Sequence, residues 1–130
     1  MLRRCLFLGL VLILLVIVGG VVGCGGAGGS PSDVVRTYYS ALNAGNFGRA
    51  EECLAPGTVL HNDHRALAGN IEKIEIIDVL YMEVFDVEVA EVAVEVTLNP
   101  ACLPELGHLD GTRTLALEKR DSGWKIFYRY

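Results

Sequence analysis

The side chains best suited to proton transfer or metal binding in this 130-residue chain fall in three places: Tyr38-Tyr39, the run His61-Asn62-Asp63-His64, and Asp78. The His61 run offers two imidazoles and a carboxylate, donors that zinc accepts. Its spacing matches no closed zinc motif, however, and His108 lies far along the chain in a separate loop. The other reading of His61, Asp63 and His64 is a solvated loop that starts or caps a turn. Asp78 stands between Ile76 and Leu80, where strand alternation points inward. A buried carboxylate is costly unless it is paired or functional. The alternative is a β-bulge at Ile77-Asp78 that turns the acid to solvent, and the adjacency of Ile76 and Ile77 favours it. Tyr38 and Tyr39 read first as packing residues on a helix face. The chain has no Ser-His-Asp order, phosphate loop or nucleotide fingerprint, so no catalytic group stands out, and no cofactor is implied.

The elements that must position these groups are well marked. Ser30 suits an N-cap, Pro31 the first helical position, and Asp33 completes a capping-box pattern. Val34, Val35, Tyr38, Ala41 and Leu42 then share one face, and Gly45 stops the helix. Asn46 can cap a second, shorter helix carrying Phe47, Ala50, Cys53 and Leu54, ended by Pro56-Gly57. Residues 58–70 read as loop, with a helical turn around Ala66-Leu67.

From Ile71 the period becomes two. Ile74, Ile76, Leu80 and Met82 alternate with Glu75, Ile77 and Tyr81, and Val92, Val94, Val96 and Leu98 alternate with Glu91, Ala93, Glu95 and Thr97. A third strand, Thr112 to Lys119, buries Leu115 and Leu117. The turn Asp121-Ser122-Gly123 leads into a fourth, in which Trp124, Ile126 and Tyr128 share a face. The expected fold is α+β, with N-terminal helices packed on a curved four-stranded antiparallel sheet.

The N-terminus says where such a domain would work. Arg3 and Arg4 precede an apolar run from Leu6 to Val22, followed by Gly23-Cys24. This resembles a bacterial lipoprotein signal peptide with its lipobox. The resemblance implies that residues 1–23 are removed and that Cys24 carries the lipid, palmitate among its acyl chains, placing the chain on the extracytoplasmic face of a membrane. The competing reading is an uncleaved membrane helix, since 17 apolar residues sit at the lower edge of a bilayer span. Residues 24–31 then form the lipidated cysteine and a Gly-rich tether, Gly25-Gly26-Ala27-Gly28-Gly29-Ser30, spanning roughly 14 Å. Residues 32–130 are the single domain.

Without Arg3 and Arg4, nine basic residues face sixteen acidic ones, a formal charge of −7. Nucleic acid is therefore excluded as a partner, and anionic lipid head groups repel the domain, leaving the acyl chains to hold it at the membrane. Of four cysteines, Cys5 leaves with the signal and Cys24 is lipidated. Cys53 and Cys102 remain, and an even pair in an exported domain invites a disulfide that would stabilise it by roughly 4 kcal/mol. The alternative is two separate thiols, with Cys53 filling core space.

The segment Ser32-Asp33-Val34-Val35, with Tyr38-Tyr39-Ser40-Ala41-Leu42-Asn43-Ala44-Gly45-Asn46-Phe47-Gly48-Arg49-Ala50, and the closing Ser122-Gly123-Trp124-Lys125-Ile126 resemble the nuclear transport factor 2-like (cystatin-like) superfamily. The likeness is greatest to that superfamily's small, largely uncharacterised bacterial lipoproteins. It implies a sheet wrapped around the first helix as a cone, whose open end holds a small apolar ligand or is closed by a partner, with a homodimer formed through the open sheet face. It also implies an alternative, a ketosteroid-isomerase or polyketide-cyclase-like enzyme with Asp78 or His61 as base near Tyr38. A third reading is an accessory subunit of a cell-envelope complex, docking through an apolar patch of Ile77, Val79, Tyr81 and Phe127.

Overall fold

Helix α1 (Pro31–Asn43) is bounded by two complementary devices. At its start Ser30 accepts from the Asp33 amide while the Asp33 carboxylate accepts from the Ser30 amide, a complete capping box. At its end Gly45 takes φ +73°, its amide donates to Leu42 O, and the Asn46 amide reaches back to Ala41 O. These are the two bonds of a Schellman stop. Asn46 at once caps α2 (Phe47–Glu52) by accepting from the Arg49 amide. The computed structural model describes residues 29–129. The signal segment, Cys24 and most of the tether therefore lie outside the described residues.

A short helix, α3 (Asn62–Arg65), starts slightly earlier than the turn expected around Ala66-Leu67. The sheet then runs as a meander in the order β1 (Ile71–Val84), β2 (Val87–Leu98), β3 (Gly111–Arg120), β4 (Gly123–Arg129), antiparallel throughout and not closed into a barrel. Between β2 and β3 the chain makes a 3-10 turn at Pro100–Cys102, helix α4 (Leu103–Leu106) and a second 3-10 turn at Gly107–Leu109. The expected α+β architecture, helices on a curved four-stranded sheet, is the observed one.

The core lies between α1 and one face of the sheet. Val35, Tyr38 and Leu42 of α1 meet Val92, Val94 and Val96 of β2, Leu115 and Leu117 of β3, and Ile126 of β4, all enclosed. Burying side chains of this size is what stabilises a domain so small. Asn43 ties the helix to the sheet, its side-chain oxygen accepting from the Ile71 amide and its carbonyl from Gly69.

The two sheet edges differ. Along β4, Leu54 forms a parallel bridge with Ile126, the Ala55 amide donates to Ile126 O, and the Ile126 amide donates to Cys53 O. Among the described residues no strand covers the outer edge of β1.

Two register shifts interrupt β1, at Glu72 and at Ile77. The second is the bulge anticipated at Ile77-Asp78, and it reverses the phase of everything after it. Val79 and Tyr81 pair with Val92 and Ala90 on the core face, while Leu80 and Met82 pair with Glu91 and Val89 on the outer face. Strict alternation had put Leu80 and Met82 inside. It had also grouped Val79 and Tyr81 with Ile77 and Phe127 as an outer patch, yet Val79 is half-buried against the core.

The Cys53–Cys102 bridge is absent. Cys102 is a free, half-buried thiol closing the turn after β2, its Sγ 3.0 Å from Asn99 O. Cys53 is fully enclosed beside β4, on the other side of β3 from the strand that Cys102 succeeds. An even count of cysteines says nothing of where the strands carry them.

Candidate functional site

The candidate residues named from sequence do not converge into one site. Asp78 is exposed at the bulge, where its carboxylate accepts from the adjacent Val79 amide at 2.9 Å. His61 is exposed at the start of α3. Asp63 meets His108 Nε2 at 3.1 Å, an exposed clasp between α3 and the second 3-10 turn. Among the described residues no three metal-ligating side chains come together.

One pairing was not foreseen. The Tyr38 hydroxyl and His64 Nδ1 share a hydrogen bond of 2.9 Å, and both residues are buried. The Tyr39 ring stands edge-on to Tyr38 at 5.3 Å between centroids. A phenol and an imidazole in contact can exchange a proton. Here the Tyr38 phenol is enclosed by the core, and the bond serves first to satisfy two buried polar groups. Two surface grooves, one on the β1–β2 hairpin and one between α1 and α2, are lined by other residues.

The unusual chemistry gathers at the far end of β1 and β2. Val84 and Val87 face each other across a two-residue turn whose central residues, Phe85 and Asp86, have φ +48° and +64°. Two positive φ values are the signature of the type I′ turn, which matches the twist of the strands but is normally made by Asn-Gly or Gly-Gly. A bulky aromatic side chain in this region is strained. Phe85 gains no packing in return, since it is 97% exposed. Beside it on the outer face, Leu80, Val84 and Val87 are also exposed, and Met82 and Val89 half so.

At the open end of the same hairpin, beyond the packed interior, lies a groove of about 490 Å³ lined by the core-face residues Tyr81, Glu83, Glu88, Lys119 and Trp124 and bordered by Met82 and Val89, whose register positions face outward. The Tyr81 and Trp124 rings meet edge to face at 6.1 Å. Glu83 and Glu88 are direct cross-strand partners. Like charges so placed repel. Lys119 relieves one of them, its Nζ lying 3.1 Å from Glu88. Among the described residues Glu83 has no ion-pair partner. The second groove, of about 360 Å³, is lined by Arg36, Thr37, Ser40, Ala41, Ala44, Asn46 and Arg49.

Sequence reading missed the hairpin groove because its residues come from several strands and meet only through the register. The available signal was the run Val84-Phe85-Asp86-Val87, two valines flanking an acid with an aromatic where a turn must fall. No family model, curated protein or solved structure matches this chain. Among the described residues no helix is long and apolar enough to cross a membrane.

Proposed function

We propose that this chain is a lipoprotein held to the extracytoplasmic face of a membrane through lipid on Cys24. In this reading its nuclear transport factor 2-like domain is a protein-interaction module that docks through the β1–β2 hairpin. The observation that carries it is Phe85. A fully exposed aromatic in a left-handed turn carries backbone strain and gains nothing from burial in return, so it does not serve the fold. Such a residue suits a contact made outside the domain. The tether supports the same reading, because a reach of roughly 14 Å keeps the hairpin near membrane-adjacent proteins.

The enzyme alternative loses its proposed groups. Asp78 and His61 are exposed at separate places, and Tyr38 is enclosed.

Two measurements test the proposal. Cys24→Ala should leave a signal-bearing precursor, and mature-sized, lipid-free protein from that variant would defeat the anchor. A photo-crosslinking residue at position 85 of the full chain, in intact cells, should give a discrete protein adduct that Leu80→Ser with Val87→Ser abolishes, whereas the same label at Thr112 gives none. Absence of any adduct from position 85 defeats docking through the hairpin.

A further inference from the structure

The charge of the domain is not spread over its surface. Residues 71–98, the β1–β2 hairpin, hold eight carboxylates against the single cation Lys73, whereas residues 30–70 and 99–129 together hold eight acidic and eight basic residues and are neutral. The net charge of the mature domain therefore resides in one hairpin. That hairpin also carries the sheet edge that no strand covers among the described residues, the exposed apolar row, and the groove with Glu83, which has no ion-pair partner among those residues.

Resting on the proposed docking role of the hairpin, we infer that its occupant is a basic, extended segment of a partner protein, laid along the β1 edge with a guanidinium or ammonium group seated between Tyr81, Trp124 and Glu83. A strand added to β1 presents its side chains alternately to the two faces of the sheet. On the core face it meets Tyr81 and Glu83, with Trp124 beside them, so that two aromatic rings and a carboxylate form an environment that attracts a cation. On the outer face it meets Leu80, Met82 and Val84, which favour apolar side chains. Alternating basic and apolar residues thus complement β1 on both sides. A second copy of this chain does not, since its own β1 would bring Glu75, Asp78 and Glu83 up to an edge already carrying the same acids. Lys119 does not fill the place, being held by Glu88.

Trp124 is the chain's single tryptophan and reports on the groove directly. The experiment titrates the full lipidated chain, in micelles of a non-aromatic detergent, with a capped octapeptide of alternating Arg and Val, monitoring Trp124 fluorescence. A capped peptide of alternating Glu and Val and free arginine amide serve as comparisons. The Arg-Val peptide should give a saturable change, and Tyr81→Ala with Glu83→Gln should weaken it at least tenfold. Both residues are exposed, so circular dichroism of the variant should be unchanged. An Arg-Val response no greater than that of the Glu-Val peptide overturns the inference, as does equal binding by the double variant. Saturation by arginine amide at the same concentration overturns the extended segment in favour of a small cationic ligand. Should the position-85 adduct form in cells while the Arg-Val peptide fails, docking stands and only this occupant falls. Peptide binding with no such adduct leaves the groove a site for basic peptides and overturns the docking of a partner protein there.

Discussion

The two hairpins of the sheet solve the same problem with different residues. β3 and β4 join through Asp121-Ser122 into Gly123, and the glycine takes φ +108°, a value other residues avoid. β1 and β2 join through Phe85-Asp86, where two residues with side chains are both held at positive φ. The outer edge of β4 is bonded to residues 53–55, whereas that of β1 is uncovered among the described residues. The β3–β4 hairpin carries five basic and two acidic residues, and its neighbour carries one and eight. One hairpin is therefore arranged to close the fold. The other keeps strain, like-charge crowding and exposed apolar side chains that closing a fold does not need. Departures from local preference tend to collect where a protein meets something else, and here they collect in one element.

The sharpest division between the hairpins should show on truncating their aromatics. Trp124, 8% exposed at the start of β4, belongs to the core cluster, so Trp124→Ala should cost about 3–5 kcal/mol in denaturant unfolding monitored by circular dichroism. A loss under about 1 kcal/mol, the scale of surface changes, would put β4 outside the core and erase the contrast. The turns come next in size and should respond with opposite signs. Gly123→Ala forces a Cβ into a positive-φ position and should destabilise by about 1–2 kcal/mol. Phe85→Asn with Asp86→Gly installs the pair that a type I′ turn prefers and should stabilise by about 1 kcal/mol. If the double variant is instead less stable, Phe85 contributes to the fold and its exposure no longer argues for a partner.

The same contrast explains how much could be read from the sequence. Ser30 with Asp33, Gly45 and Asn46 are helix signals that act within a few residues, and the structure uses each as expected. The β2 alternation was equally legible, because Val92, Val94, Val96 and Leu98 face one core. Ile76-Ile77 gave away the bulge, but the phase of a strand beyond its bulge depends on which partner resumes the pairing, so the inward placement of Leu80 and Met82 failed. The Phe85-Asp86 turn carries no glycine, so its only local mark is the acid after an aromatic between Val84 and Val87, a weak one beside Asn-Gly or Gly-Gly. Long-range pairings were the least legible: Tyr38 with His64 and Tyr81 with Trp124 are set by how α3 and β4 fold back on earlier elements. The expected Cys53–Cys102 bridge failed for the same reason, being inferred from number with no knowledge of position.

The smallest expected effect tests that phase reversal directly. Leu80 and Val79 are neighbours of similar character, and an unbroken alternation would make Leu80 the costly one to lose. The register pairs Val79 with Val92, which is enclosed, and Leu80 with Glu91 on the outer face, where Leu80 is 55% exposed. Leu80→Ser should therefore change stability by no more than about 0.5 kcal/mol, as surface substitutions do. Val79→Ser removes side-chain carbon packed against the core and brings a hydroxyl there, so its cost should exceed about 1 kcal/mol. Measured side by side in the same denaturant series, the two values separate the bulged strand from an unbroken one. Equal costs, or a larger one at Leu80, would mean that the row Leu80, Val84 and Val87 belongs to the core, and that the hairpin has no outer apolar face to offer a partner.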